Sequence, residues 1–149
     1  MSQVKGMVEL QANLKALEKS AGRHIVSAYI AGGKLVESDA KRAIQDKSSG
    51  HEVTRHREGG ASYQHLASNP GGAPNTDTGA LVNSIQTEVT SEGVFVGTTL
   101  EYGKFLEFGT SGMDERPWLM PALNGRADDI IKLQVNALNQ AIAGAAKHV

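Results

Sequence analysis

A chain of 149 residues and 15.8 kDa, with formal net charge −1 and a sequence pI near 6.5, has the length of one domain. Its 15 Lys and Arg against 16 Asp and Glu leave no cationic excess for neutralising phosphates over a broad surface, which argues against sequence-independent DNA binding. Cysteine is absent, so a thiol nucleophile and every Cys-type zinc site are excluded.

At the N-terminus Met7, Leu10, Leu14 and Leu17 recur at helical spacing, with Glu9, Lys15, Glu18 and Lys19 off the stripe. This predicts an amphipathic helix over about Val8–Ser20, broken or bent at Ala21-Gly22. Val4–Val8 offers an extra strand. A longer helix is predicted from about Arg23 to Lys47, with Tyr29, Val36, Ala40 and Ala43 as its apolar stripe. Gly32-Gly33 in its middle costs roughly 1 kcal/mol per Gly relative to Ala. The pair marks a kink, a close approach of another backbone, or a tolerated weak point.

From Ser48 to Asn75 the character changes: Gly, Ser, Asn and Pro are common and large aliphatics nearly vanish. A loop of this length is usually functional or disordered. The segment is expected to be a long flexible arm that orders against a neighbour on assembly.

Asp77 and Thr78 then offer a cap for a short helical turn, Gly79–Ser84, with Leu81, Val82 and Ile85 facing inward. Beyond it Ile85, Thr87 and Val89 alternate with Gln86, Glu88 and Thr90. Ser91-Glu92-Gly93 turns, and Val94-Phe95-Val96 returns, which is a β-hairpin with one buried face.

Thr98 or Thr99 can cap the next helix, about Glu101–Phe108, which carries Tyr102, Phe105, Leu106 and Phe108. Gly109 suits the left-handed conformation that ends it. A loop over Thr110–Glu115 leads to Pro117, which suits a first helical turn, and to Trp118, Leu119 and Leu123 as anchors. The last helix is read over Ala127–Ala146. Ile130, Leu133, Leu138 and Ile142 lie near one face, Asp128 and Asp129 at its start, and Lys147 and His148 at its end.

Two of the three Phe, the only Trp and one of the three Tyr lie between Thr98 and Leu123, so this window is expected to organise the molecule. Glu107, between Leu106 and Phe108, is expected to be partly buried and to need an Arg or backbone N–H partner, with Arg116 the candidate. The expected fold is α+β: N-terminal helices including one long helix, an antiparallel β-hairpin or small sheet, a short central helix, a C-terminal helix and the arm. All 149 residues are read as a single domain, with the arm at 48–75.

The stretch FLEFGTSGMDERPWLMPAL resembles the "EFGT … RPFL.PAL" signature of the HK97 gp10-like tail-component family of tailed bacteriophages. Upstream, APNTDTGALVNSI, Ala73–Ile85, resembles that family's "aPvdTG.L..SI". The resemblance runs from about Ala73 to Leu123 and more weakly over the N-terminal helices. Gly103 stands where Ala is usual, and Trp118 where Phe is.

The resemblance implies assembly or core roles for Pro74, Thr78, Gly79, Leu81, Ser84, Ile85, Tyr102, Phe105, Glu107, Phe108, Gly109 and Thr110. It implies the same for Arg116, Pro117, Trp118, Leu119, Pro121, Ala122 and Leu123. It further implies a structural virion protein assembled in the host cytoplasm, without cofactor, membrane or enzymatic role. Such a protein forms a homo-oligomeric ring, a hexamer by analogy, at the head–tail interface. Its partners would be head–tail connector or adaptor proteins on one side and tail terminator or tail tube proteins on the other, with DNA only in passage. A tail terminator ring at the top of the tube is the alternative position.

Two other classes make contrasting predictions. A metal-dependent hydrolase would use His51, His56 and His65 with Glu52 and Glu58, although their spacing matches no compact metal motif. A regulatory binding module outside a virion would be a monomer that covers its own EFGT face. Ser84, Thr110 and Ser111 lie in no G-x-S-x-G elbow and read as caps and turns.

Overall fold

A computed structural model describes residues 2–146, and these form an α+β chain. Helix α1 spans Ser2–Gln45. Strands β1, Gly50–His56, and β2, Ser62–Ser68, pair antiparallel. Helix α2, Ala80–Ser84, leads into a second antiparallel pair, β3 (Ile85–Val89) and β4 (Val94–Thr98). Helices α3, Glu101–Phe108, and α4, Met120–Ala146, complete the order. The chain divides into two compact units, a mixed one, Gly33–Arg126, and a helical one, Met1–Gly32 with Ala127–Val149.

The N-terminal helix is single. No break occurs at Ala21-Gly22, and Val4–Val8 is helical rather than extended. A side chain at Gly22 would meet open space, so this glycine costs helix propensity of about 1 kcal/mol and nothing in packing. Ala, Leu, Glu and Lys on either side favour helix enough to carry the chain through.

Residues 48–75 are not a structureless arm, because β1 and β2 pair across seven positions from Gly50↔Ser68 to His56↔Ser62. Arg57 N–H to Ala61 O (2.8 Å) and Gly60 N–H to Arg57 O (3.0 Å) close the tip. Half of the hairpin's strand residues are exposed and only Ser68 is buried, so no apolar alternation marks it in sequence. Helix α4 starts at Met120, earlier than Ala127, and Pro121 rather than Pro117 occupies its first turn. Lys147 and His148 lie outside the described residues.

In the mixed unit the core is built by Val36, Ala40 and Ile44 of α1, Leu81 and Val82 of α2, Ile85, Trp118 and Ala122. A Cβ at Gly33 would lie 2.8 Å from Thr87 Cγ2 and 3.0 Å from Val94 Cγ1, so α1 lies directly against the β3–β4 hairpin. One turn on, Glu37 accepts hydrogen bonds from Lys34, Lys41 and both the backbone N–H and hydroxyl of Thr87. Burial alone would raise the Glu37 carboxyl, but the bonds from Lys34, Lys41 and Thr87 outweigh it and lower the pKa to about 2. Asp39 pairs with Arg126 (2.6 and 3.1 Å), whose hydrogen bond holds that carboxyl below its usual range. In the helical unit Ala28, Ala137 and Ala141 are buried, and a Cβ at Gly32 would lie 3.0 Å from Ile130 Cγ1. The two adjacent glycines therefore serve close approach, one to a hairpin and one to a helix.

Candidate functional site: a carboxylate latch and an open cleft

The end of α3 sets the geometry of everything after it. Gly109 has φ +71°, where a side chain is strained, and a Cβ there would lie 2.8 Å from Met113 O. Thr110 N–H bonds Met113 O (2.8 Å), and the chain turns back so that Arg116 N–H bonds Leu106 O (2.7 Å). This return lays residues 117–120 alongside Glu107.

Glu107 is 6% exposed, and its two oxygens take three backbone donors. Trp118 N–H (2.8 Å) and Leu119 N–H (2.9 Å) reach Oε2, and Met120 N–H (2.8 Å) reaches Oε1. Leu119 O receives the first helical bond of α4, from Leu123 N–H at 2.9 Å. A helix start leaves its first N–H groups without partners and carries partial positive charge. Here a carboxylate from another helix meets both needs, and Pro121 has no N–H to satisfy.

The expected Glu107–Arg116 pair does not form. Backbone N–H groups occupy the carboxylate, and the Arg116 side chain instead donates Nε to Ser68 O (3.1 Å) and Nη1 to Asp114 O (3.3 Å). Trp118 is 2% exposed, and its indole N–H donates to Gly103 O at 3.1 Å. A Cβ on Gly103 would crowd Thr98 Cγ2 and come within 3.3 Å of Leu81 Cδ1 and 3.6 Å of Trp118 Cζ2. Gly103 and Trp118 therefore face one another. The larger ring sits opposite the smaller residue and gains a hydrogen bond that Phe cannot make.

The upstream motif is tied down by polar side chains. Asn75 accepts from Ser48 N–H (2.7 Å) and donates to Ser48 O and Leu66 O (both 3.0 Å). Gly79, at φ 80°, precedes α2, while Thr78 Oγ1 accepts only from Ala80 N–H at 3.3 Å. Asp77 does not cap α2 but turns to the first hairpin. Tyr63 OH donates to it (2.8 and 2.9 Å), Arg55 lies 3.5 Å away and His65 3.9 Å away. The hydrogen bond to Asp77 pushes the Tyr63 phenol above its usual pKa. Ser84 Oγ donates to Leu81 O (2.8 Å) and lies 2.5 Å from Thr98 Oγ1, and Ile85 is 1% exposed. Thr98 bonds Leu100 N–H (3.1 Å), one residue ahead of α3, without capping it.

Both motifs line one cleft of about 710 Å³ in the mixed unit. Pro74, Asp77, Thr78, Gly79 and Leu81 form one side; Tyr102, Phe105, Leu106, Thr110 and Arg116 form another; Arg55, His65, Ala67 and Ser68 of the first hairpin complete it. Ser68 Oγ is buried with no hydrogen-bond partner. Of the aromatic side chains around α3, only Trp118 is in the core. Tyr102, Phe105 and Phe108 are 44%, 39% and 70% exposed. Leu119 and Pro117 are half-buried and Ala122 is buried, whereas Pro121 and Leu123 are exposed.

Strand pairing also sorts the histidines. Directly opposed residues share a face of the hairpin, so His51, paired with Ala67, and His65, paired with Val53, lie on one face and His56 on the other. Among the described residues no group of three or more His, Asp or Glu gathers as a metal-ligand set. Sequence reasoning missed the first hairpin and the role of Asn75. Of the two kinds of partner expected for Glu107, the backbone N–H groups are the ones it takes, at a helix start thirteen residues on, rather than Arg116.

The buried latch thus lies beside an open cleft rimmed by the exposed aromatic side chains Tyr102 and Phe105. The family model described as "Bacteriophage HK97-gp10, putative tail-component" matches residues 8–109, and the chain belongs to this HK97-gp10-like family. It is a structural tail-component protein of a bacteriophage, and family membership implies a place in the virion and contacts with other head or tail proteins. The match takes in the upstream motif and α3 as far as Gly109, and the latch partners Trp118–Met120 lie beyond it. No curated protein and no solved structure matches the chain. Among the described residues no helix is long and apolar enough to cross a membrane.

Proposed function

We propose that the chain is the repeating subunit of a ring at the head–tail interface, a neck or tail-completion protein that joins connector to tail and keeps the DNA channel continuous. One observation carries this reading: the two family motifs converge on a single open cleft whose rim is aromatic. Exposed aromatic side chains beside a concave surface are the usual anchors of protein contacts. In the ring, six by analogy, the cleft receives a neighbouring or stacked subunit, and the β1–β2 hairpin clasps it. A near-neutral chain suits a channel wall, because strong positive charge would retain passing DNA.

The test is gold-labelled antibody on purified virions, together with a phage carrying Phe105→Asp. Label at the head–tail junction, and mutant lysates of full heads and normal-length tails left unjoined, are expected. Over-length tails would move the ring to the terminator position. Absence of the protein from virions would overturn the reading.

A further inference from the structure

The cleft of the mixed unit carries a charge that the chain itself leaves unbalanced. Two guanidinium groups line it, those of Arg55 and Arg116, against one carboxylate, Asp77. Asp77 is committed to the first hairpin, where Tyr63 OH donates to it and Arg55 lies 3.5 Å away. Arg116 forms no ion pair among the described residues. Its Nε and Nη1 donate to backbone carbonyls, Ser68 O at 3.1 Å and Asp114 O at 3.3 Å. Two carbonyls fix the plane of a guanidinium and leave its charge in place.

Ser68, whose carbonyl holds Arg116, is 2% exposed and lines the same cleft, and its hydroxyl has no partner. A buried hydroxyl without a partner is rare in a folded protein. The lining also has an apolar part: Leu106 and Met113 are half-buried, and Tyr102 and Phe105 are 44% and 39% exposed. A concave, largely apolar surface with a few converging polar groups is the usual form of a binding site.

We propose that the cleft binds a carboxylate of the neighbouring protein, an Asp or Glu side chain set beside a large apolar one. The carboxylate accepts from the N–H groups that Arg116 does not give to carbonyls, supplies the missing negative charge and offers the Ser68 hydroxyl an acceptor. The apolar neighbour packs on Phe105 and Tyr102. Counting His65 as neutral, the cleft holds one net positive charge in a chain whose total is −1, so one carboxylate balances it. A nucleic acid also offers anions, but a strand needs a row of cations, and here Asp77 already holds the other guanidinium. The inference rests on the reading of the cleft as the site that receives a neighbour, and adds what that neighbour must carry.

The experiment is titration of the full, isotope-labelled chain with hydrocinnamate, which joins a carboxylate to a ring by a short spacer, followed by backbone amide NMR. Hydrocinnamamide has the same shape without the charge. Hydrocinnamate is expected to shift the signals of Ser68, Phe105 and Arg116 with a dissociation constant on the order of millimolar, as its few heavy atoms allow. Hydrocinnamamide is expected to bind about tenfold more weakly, the loss of one charge-assisted hydrogen bond. Arg116→Gln, with its fold checked by thermal melting, is expected to bind both probes equally weakly. The comparison of probes on the parent chain decides the matter even where that variant unfolds.

Equal binding of the two probes to the parent, shifts confined to other residues, or no saturable shift at all overturns the proposal. So does tighter binding of methyl phenyl phosphate, a singly charged phosphodiester, which would assign the cleft to nucleic acid. Failure of the probe leaves the cleft able to receive a neighbour through its aromatic rim alone, which the Phe105→Asp phage reports. Normal joining by that phage removes the neighbour and leaves probe binding by the parent untouched, so the two failures are distinct.

Discussion

The two hairpins of the mixed unit are built from strands of similar length and are held in different ways. β3–β4 is seated on α1: Thr87, Val94 and Val96 close over the bare backbone of Gly33, and Glu37 bonds Thr87 from below. β1–β2 has little apolar surface to bury and is held by side-chain hydrogen bonds. Asn75 grips Ser48 and Leu66, Arg116 grips Ser68, and Asp77 grips Tyr63. An isolated hairpin is marginal in water, so each needs its anchor. One is packed into the body of the unit, while the other is tied down at its ends by polar side chains.

The largest effect should come from filling the space that seats β3–β4. Gly33→Leu forces a side chain against Thr87 and Val94 and should cost about 3 kcal/mol, at the upper end of ordinary overpacking. Chemical denaturation measures it. Parental stability would mean that the hairpin is not seated on α1.

Removing the second anchor of the same hairpin should cost less. Glu37→Ala strands the Thr87 N–H and should lose about 2 kcal/mol. The anchor also carries a pH signature. Because its folded-state pKa is lowered from 4.5 to about 2, Glu37 stabilises the fold fully above pH 4.5, and the contribution is lost as pH falls toward 2. The melting temperature of the parent should fall more steeply over that window than that of Glu37→Gln. Parallel profiles would remove Glu37 as the acid-sensitive anchor.

The same contrast explains what the sequence reveals. β3–β4 is legible because burying one face forces apolar and polar residues to alternate. Helix α3 is legible from end to end because Gly109 supplies a positive-φ stop that few other residues can. β1–β2 is hidden because its one fully buried strand residue is the polar Ser68 and its anchors, Asn75 and Arg116, lie 7 and 48 positions beyond it. At Glu107 the need for a partner follows from its apolar neighbours. Its partner is a different matter, since helix-start N–H groups have no residue identity and only the folded turn after Gly109 shows where they point. The continuity of α1 was hidden for the opposite reason: Gly22 is a weak point that packing never tests.

At the polar hairpin the effects should be smaller and local. Asn75→Ala removes bonds to Ser48 and Leu66 and should cost about 1–2 kcal/mol. Limited proteolysis should then cut between residues 48 and 75 well below the global melting temperature, because only this hairpin loses its grip. Cleavage no faster than in the parent would show that Arg116 and Asp77 suffice.

The smallest effect should come from the tip. Replacing Arg57–Ala61 by Asn-Gly keeps the His56↔Ser62 pair joined through a two-residue turn that suits antiparallel strands. It removes the Arg57 cation over the Tyr63 ring at 5.0 Å and a few exposed side chains. Surface changes of this kind usually fall within about 0.5 kcal/mol. A loss well above 1 kcal/mol would place the tip in the fold and erase the difference between the hairpins. An unchanged melt combined with failed joining of heads to tails would separate the two roles. The strands would be held by Asn75, Arg116 and Asp77, and the residues beyond them would serve the neighbour.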